Sequence, residues 1–344
     1  MLYPTFSIPA LYCPFNSQIS PYASAVETHT TQWVERFGLH EAIRGYREAK
    51  FAYMTSRFYP TAEYGRLCLA NDLLVLLFLM DDIFDNKDEE AQHPENLKKL
   101  LYACLGILKD GHCYTLEDWH SRQQSGQDIV HKSITQAMVA KEHVNILAAL
   151  TDVWQRVQAC TSAGYQQAFV QDMLKLFNAV NWQNQNVNAD RMPSVADYIE
   201  SRPLIGGAHI AATLIELAEQ VHLPEDIINH KKLSNLTMLC GHLGCWANDL
   251  YSLGKELEQG DTHNLVLVIR EERQLDIEAA INETVRLHNQ EMIQFERIFH
   301  SLPTFDDKTD EEVYKYAFCL AMIVRGNIDW SLQDTARYQQ QVYA

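Results

Sequence analysis

The chain has 344 residues, 47% of them apolar, with only 14 Gly and 10 Pro, a composition that argues against an architecture of many short strands and turns and favours long helices. A formal net charge of −17 and a pI near 5.2 exclude nucleic acid as the main partner, because phosphate backbones are met by clustered Lys and Arg. Eight Cys stand at positions 13, 68, 104, 113, 160, 240, 245 and 319, with no C-x-x-C pair and no secretory leader, so they read as reduced thiols of a cytoplasmic protein.

An irregular leader with Pro4, Pro9 and Pro14 occupies residues 1–20 and precedes a polar helix expected over about Ser24 to Phe37 and a second over about Leu39 to Arg57. A strongly apolar helix follows from about Thr61 to Asp85 and stops in the polar loop "NKDEEAQHPEN". Its run "LLVLLFLM", 73–80, is too short for an integral membrane segment of about 20 residues. Helical stretches are expected over about 95–110 and 127–181, and "QNQNVNADRMPS" reads as a polar loop whose Pro193 and Ser194 start the next helix. The segments "PLIGGAHIAATLIELAEQ", "HKKLSNLTMLCGHLGCWANDLYSLGKELEQ", "DIEAAINETVRLHNQEMIQFERIF" and about Glu311 to Tyr338 also scan as helices. The total is about ten to twelve, some apolar nearly all round. No linker, repeat or composition break divides the chain, which predicts an all-α, single-domain bundle over 1–344 with its core at about 20–340.

Two clusters carry chemistry. Asp81 and Asp85 are four residues apart and share a helix face, with Asp82 beside them at the helix end. Like charges at this spacing repel, and the helix dipole adds to the penalty at a C-terminus. A hard divalent cation such as Mg²⁺ would reverse the sign; the alternative is a solvated acidic loop. The second cluster, "ANDLYSLGKE" at 247–256, puts Asn248, Ser252 and Glu256 at i, i+4 and i+8, one polar stripe able to offer oxygen ligands to a cation, with Lys255 beside it for a phosphate. The helix leading in, "LTMLCGHLGCW", is too apolar for a surface element, so the stripe wants a buried purpose; a helix end passing into solvent is the alternative.

Asp81-Asp82-Ile83-Phe84-Asp85 resembles the aspartate-rich DDxxD motif of class I terpene synthases, and Asn248 to Glu256 resembles their NDxxSxxKE motif. Arg202 lies 46 residues before Asn248, where microbial members carry a diphosphate-sensing arginine, and "ARY" at 336–338 is similar to their C-terminal Arg-Tyr pair. "IPALYCPF" and "MPSVADYIESR" also look like family segments, so the resemblance runs from about Ile8 to Tyr338, with no plant-type extra domain. Two positions depart from it: Gln183 stands where an acidic residue often follows the position of Trp182, and the apolar Ile205 separates the sensor Arg202 from the effector position Gly206.

The resemblance implies a helical bundle around a central apolar cavity, and a Mg²⁺-dependent cyclase that ionises a prenyl diphosphate. Farnesyl diphosphate, giving a sesquiterpene hydrocarbon or alcohol, is the first choice of substrate, with geranylgeranyl diphosphate the alternative. It implies three Mg²⁺ ions, Asp81 ligating two with Asp82 and Asp85 in support, and Asn248, Ser252 and Glu256 holding the third. Arg202, Lys255, Arg337 and Tyr338 would donate to the diphosphate, and a helix break at Pro203 and Gly206-Gly207 would aim a backbone carbonyl at the allylic cation. Apolar and aromatic walls would shelter the carbocation, with Phe78 the main candidate, then Trp330, Trp182 and Phe51. An antiparallel homodimer is frequent in this family. Competing readings are a chain-elongating prenyltransferase, which would carry a second aspartate-rich motif in place of the Asn-Ser-Glu stripe, and a non-catalytic acidic metal-binding protein.

Overall fold

The structure is a computed structural model describing residues 6–39, 46–84, 94–115, 129–130, 138–139, 143–338 and 342–343. Its helices are α1 (Ala23–Arg36), α2 (Tyr46–Ala49), α3 (Phe51–Phe58), α4 (Tyr64–Phe84), α5 (Pro94–Asp110), α6 (Val144–Cys160), α7 (Ala163–Asn188), α8 (Val195–Ile205), α9 (Ala208–Glu219), α10 (Glu225–Ile228), α11 (Lys231–Gln259), α12 (Leu265–Arg273), α13 (Ile277–Phe299) and α14 (Asp307–Asp329). A five-residue π-turn, Trp330–Asp334, ends α14. The two-residue strands β1 (Ser7–Ile8) and β4 (Val342–Tyr343) pair in parallel, and β2 (Ile129–Val130) pairs antiparallel with β3 (Met138–Val139).

Side chains at the loop ends set several helix starts. Ser162, Ser194, Asp276 and Asp306 each accept from the backbone N–H three residues on, opening α7, α8, α13 and α14. α4 buries nearly all of its middle, Leu73 to Leu76 with Leu79 and Met80, while Leu77 and Phe78 are only partly buried because they turn to an internal cavity. Its buried polar residues Asn71 and Asp72 are paired, Asn71 with Thr30 and Thr55. Asp72, fully buried, accepts from Thr30 Oγ1 at 2.7 Å and Arg156 Nη1 at 2.9 Å, and His29 Nε2 lies 3.1 Å away, which ties α4 to α1 and α6. One continuous cluster of buried side chains draws on α1, α3, α4, α6, α7, α9, α11, α13 and α14. Among the described residues no helix is long and apolar enough to cross a membrane.

Several expected boundaries need correction. The helix expected over about Leu39 to Arg57 is interrupted at Lys50, whose φ of +54° is left-handed and which separates α2 from α3. The stretch 127–181 contains the β2–β3 pairing and then two helices, parted where Thr161 turns extended and Ser162 caps α7. α7 runs on to Asn188, so the polar loop shrinks to 189–194; Gln183 to Asn188 stay helical because helix periodicity there is carried by packing rather than by apolar residues. The helix α12 has no counterpart among the expected elements. The last helix stops at Asp329, nine residues short of Tyr338.

Candidate active site

One cavity of about 210 Å³ gathers the residues picked out from the sequence: Phe78, Arg202, Gly206, Asn248, Ser252, Lys255, Glu256, Trp330, Arg337 and Tyr338 all line it. Its apolar wall comes from Met54 and Phe58 of α3, Leu74 and Leu77 of α4, Leu176 and Val180 of α7, and Ile323 of α14. Asp81 and Asp82 lie in the last turn of α4, the helix that contributes Phe78; Asp85 lies outside the described residues.

The polar stripe is set by α11. Ser252 Oγ donates to Glu256 Oε1 at 2.6 Å, and Asn264 Nδ2 donates to Glu256 Oε2 at 2.7 Å. Asn248 accepts from Arg202 Nη2 at 3.0 Å and donates to the Tyr338 hydroxyl at 2.9 Å, which joins Arg202, the stripe and the chain's C-terminal segment. Asp249, one residue on, points about 100° away from the stripe. It is fully buried and accepts from Arg202 Nε at 2.8 Å and from the Leu265 N–H at 3.0 Å, the latter at the start of α12. The Tyr198 hydroxyl lies 2.9 Å from both Asp249 Oδ2 and the His263 carbonyl, so its single proton serves two acceptors. Burial opposes the Arg202 charge, but Asp249 at 2.7 Å outweighs it and holds the guanidinium well above its ordinary pKa.

The helix break that frees Arg202's neighbourhood falls at Gly206-Gly207. α8 passes through Pro203 and ends at Ile205, so Pro203 is not part of the break expected there. Gly207 takes φ of +64°, which suits glycine. Gly206 is required for space: a Cβ there would sit 2.6 Å from Arg202 Nη1 and 2.8 Å from Cys245 Sγ.

The C-terminal pair reaches the cavity because the π-turn folds the chain back over α3. Arg57, buried, donates through Nε to Asp334 at 2.5 Å, the Ala336 N–H donates to the Glu48 carbonyl at 2.9 Å, and Trp330 Nε1 donates to the Ala49 carbonyl at 2.8 Å. Phe51 does not line the cavity. It stacks behind Phe78 with ring centroids 4.3 Å apart, and the Arg337 guanidinium lies 5.4 Å from the Phe51 centroid and 6.0 Å from that of Phe78. Trp182 is also outside the lining; its ring meets His263 edge-on at 6.4 Å, and its neighbour Gln183 lines the cavity instead.

Asp249, Asn264 and His263 escaped the sequence reading. Asp249 sits inside the quoted motif, but spacing alone does not tell which of two adjacent polar residues faces inward. His263 and Asn264 belong to the loop directly after it, which has no periodicity to read.

Among the described residues no group of three or more His, Cys, Asp and Glu is placed to hold a metal. The stripe nonetheless fits a hard cation by its donors, an amide oxygen, a hydroxyl and a carboxylate on one face. Burial, then the negative charges of Asp249 and Asp261, push the Glu256 carboxyl up to about 7, the mark of an acidic group short of positive charge.

The comparisons with known proteins give the family. The model of terpene synthase family 2, C-terminal metal binding, matches residues 72–294. The chain is 30% identical over 328 residues to a (+)-T-muurolol synthase ((2E,6E)-farnesyl diphosphate cyclizing) of Roseiflexus castenholzii, covering 94% of this chain and 92% of that protein. It is 26% identical over 325 residues to a germacrene A synthase of Nostoc punctiforme, again covering 94% and 92%. In fold it is similar to germacradien-4-ol synthase from Streptomyces citricolor, with a TM-score of 0.76 and 19% identity over 94% of this chain and 97% of that one. A divalent metal is implied by the family's metal-binding region, and the chain belongs to terpene synthase family 2.

Proposed function

We propose that this protein is a class I terpene cyclase that ionises farnesyl diphosphate and closes the resulting carbocation to a sesquiterpene hydrocarbon or alcohol. The observation that carries the reading is the division of one cavity into two chemistries. Arg202, Lys255, Arg337 and Tyr338 line it together with the Asn248-Ser252-Glu256 stripe, and most of the remaining wall is aliphatic or aromatic. The named substrate of the Roseiflexus relative supports the C15 choice.

In this reading Asn248, Ser252 and Glu256 would hold one Mg²⁺, and Asp81 would ligate two more, with Asp82 and Asp85 in support. Bound Mg²⁺ would offset the charge of the diphosphate and make it a better leaving group. Arg202, Lys255 and Arg337 orient the diphosphate by charge-assisted hydrogen bonds, with Tyr338 held in place through Asn248. Arg202 is pre-set for this by Asp249, so little reorganisation accompanies binding. Phe78, backed by Phe51, and Trp330 present ring faces that stabilise positive charge in the hydrocarbon chain while the packed wall keeps water away.

The test is gas chromatography with mass detection after incubating pure protein and Mg²⁺ with geranyl, farnesyl and geranylgeranyl diphosphates in separate reactions. The expected result is a cyclic C15 product from farnesyl diphosphate that disappears with EDTA. A cyclic C20 product from geranylgeranyl diphosphate alone would replace the substrate by the longer one. Longer linear diphosphates formed only with added isopentenyl diphosphate would overturn the cyclase reading in favour of chain elongation.

A further inference from the structure

Of the polar side chains that line the cavity, Asn327 donates to the Gly244 carbonyl, whereas His263 has no such partner for its ring. His263 is 6% exposed and lines the cavity, and neither of its ring nitrogens meets a hydrogen-bond partner among the described residues. An imidazole buried in this way is costly, because both nitrogens have left water without replacement.

Its placement is tightly built. The His263 N–H donates to Asp261 Oδ1 at 2.9 Å and its carbonyl faces the Tyr198 hydroxyl at 2.9 Å. The next residue, Asn264, caps α12 and bonds both Glu256 and the Asp249 carbonyl. The ring's aromatic neighbour is Trp182, edge-on. A residue needed only to fill this space could be leucine or phenylalanine; an imidazole with two unmet polar atoms fits a polar occupant of the cavity.

Its neighbours decide which one. His263 lines the cavity together with Lys255, Glu256, Asp261 and Arg202, and the charges of Asp261 and Arg202 act on the imidazole. Arg202 and Lys255 supply positive charge among these neighbours. Burial lowers the pKa of the ring, with Asp261 opposing and Arg202 adding to the effect, which favours the neutral imidazole with one N–H to donate.

We propose that His263 is a further diphosphate-binding residue, its ring N–H donating to a phosphate oxygen of the prenyl diphosphate and of the inorganic diphosphate left after ionisation. The proposal rests on the cyclase reading and adds to it a donor on the loop between α11 and α12, between Arg202 and Arg337 in the chain. It also accounts for an unmatched polar group that a purely structural histidine would leave unexplained.

The experiment compares the wild-type protein with His263→Phe and His263→Gln. Inorganic diphosphate is titrated calorimetrically in the presence of Mg²⁺, and melting temperatures are read with and without that pair. A hydrogen bond to a charged group predicts that His263→Phe weakens diphosphate binding by about tenfold or more. His263→Gln, which keeps an N–H donor, recovers most of that loss. Without ligand the Phe variant should melt no lower than wild type, since it removes an unpartnered polar group, and the deficit should show only in the smaller rise on adding diphosphate. If Phe is not accommodated, as circular dichroism would reveal, His263→Leu serves as the smaller apolar replacement. Unchanged diphosphate affinity in the apolar variant overturns the proposal, whether accompanied by a lower melting temperature, which would make His263 structural, or by an altered product distribution, which would place it against the hydrocarbon. A wild type that neither cyclises a prenyl diphosphate nor binds inorganic diphosphate removes the cyclase reading and this proposal together, whereas normal cyclisation with unaltered binding in the variants removes this proposal alone.

Discussion

Arg202 grips two consecutive residues of α11 at once: its Nε and Nη2 reach Asp249 Oδ1 at 2.8 and 2.7 Å, and Nη2 also donates to Asn248 Oδ1 at 3.0 Å. Asn248 faces the cavity and Asp249 faces the protein, so one guanidinium is shared between the site and its scaffold. Any displacement of Arg202 toward a bound anion is therefore felt by the stripe and by the start of α12, where Asp249 accepts the Leu265 N–H.

Asp249→Asn leaves the Arg202 charge buried without its partner. Breaking such a pair costs on the order of 3 kcal/mol, so urea denaturation should show a loss of about that size together with a large drop in kcat. Stability within about 1 kcal/mol of wild type would mean that the pair is not what anchors Arg202.

Glu256 gives a pH signature in metal-free protein. Its carboxyl is raised from 4.5 to about 7, so the folded state holds the proton more tightly than the unfolded chain. The associated stability is fully present below pH 4.5 and is lost as pH rises through about 7. Thermal melts in EDTA across pH 4.5 to 8 should therefore show wild type declining relative to Glu256→Gln. Adding Mg²⁺ with diphosphate should restore the wild type at the alkaline end, because the ligand form is the carboxylate. Parallel curves for the two proteins would contradict the assignment.

Gly206→Ala places a methyl against Arg202 and Cys245. Overpacking of this kind costs about 1–3 kcal/mol, and the flexible guanidinium is the easiest group to move. The expected outcome is a folded protein with kcat reduced at least tenfold and Arg202 displaced in a crystal structure of the variant. Gly207→Ala, by contrast, meets no atom but must hold φ of +64°, so it should lose stability more than activity.

The stack of Phe51 on Phe78 separates two roles by substitution. Phe51→Leu removes the ring nearest Arg337 without touching the cavity lining, and a cation–π contact of about 1 kcal/mol predicts a KM roughly fivefold higher with an unchanged product profile. Phe78→Leu alters the wall itself and should change the product distribution seen by gas chromatography. The reverse pattern would mean that Phe51, and not Phe78, faces the substrate.

Helix periodicity and composition were enough to anticipate α4, α11 and α13 nearly to their ends, because long apolar or amphipathic runs without Gly or Pro leave few alternatives. They failed at Lys50, where a single left-handed residue breaks a run that has no glycine to announce it, and at Gln183 to Asn188, where polar residues remain helical on the strength of a buried face further back. The expected helix through Tyr338 also failed, since contacts with α2 and α3 rather than local propensity end it.

The sequence by itself determined the chemistry on offer: carboxylates at the end of an oily helix, a stripe of oxygen donors at fixed helical spacing, and an arginine and an Arg-Tyr pair at matching distances along the chain. These are local or ordered along the chain, so they survive reading in one dimension. Only the tertiary structure decided which way adjacent side chains point. It turned Asn248 to the cavity and Asp249 to Arg202, put Phe51 behind Phe78, folded Arg337 and Tyr338 back from beyond α14, and brought His263 from a featureless loop to the same cavity. Most of those relations join residues 47 to nearly 300 positions apart, and they are fixed by packing and hydrogen bonds that form only when the helices close around a common core.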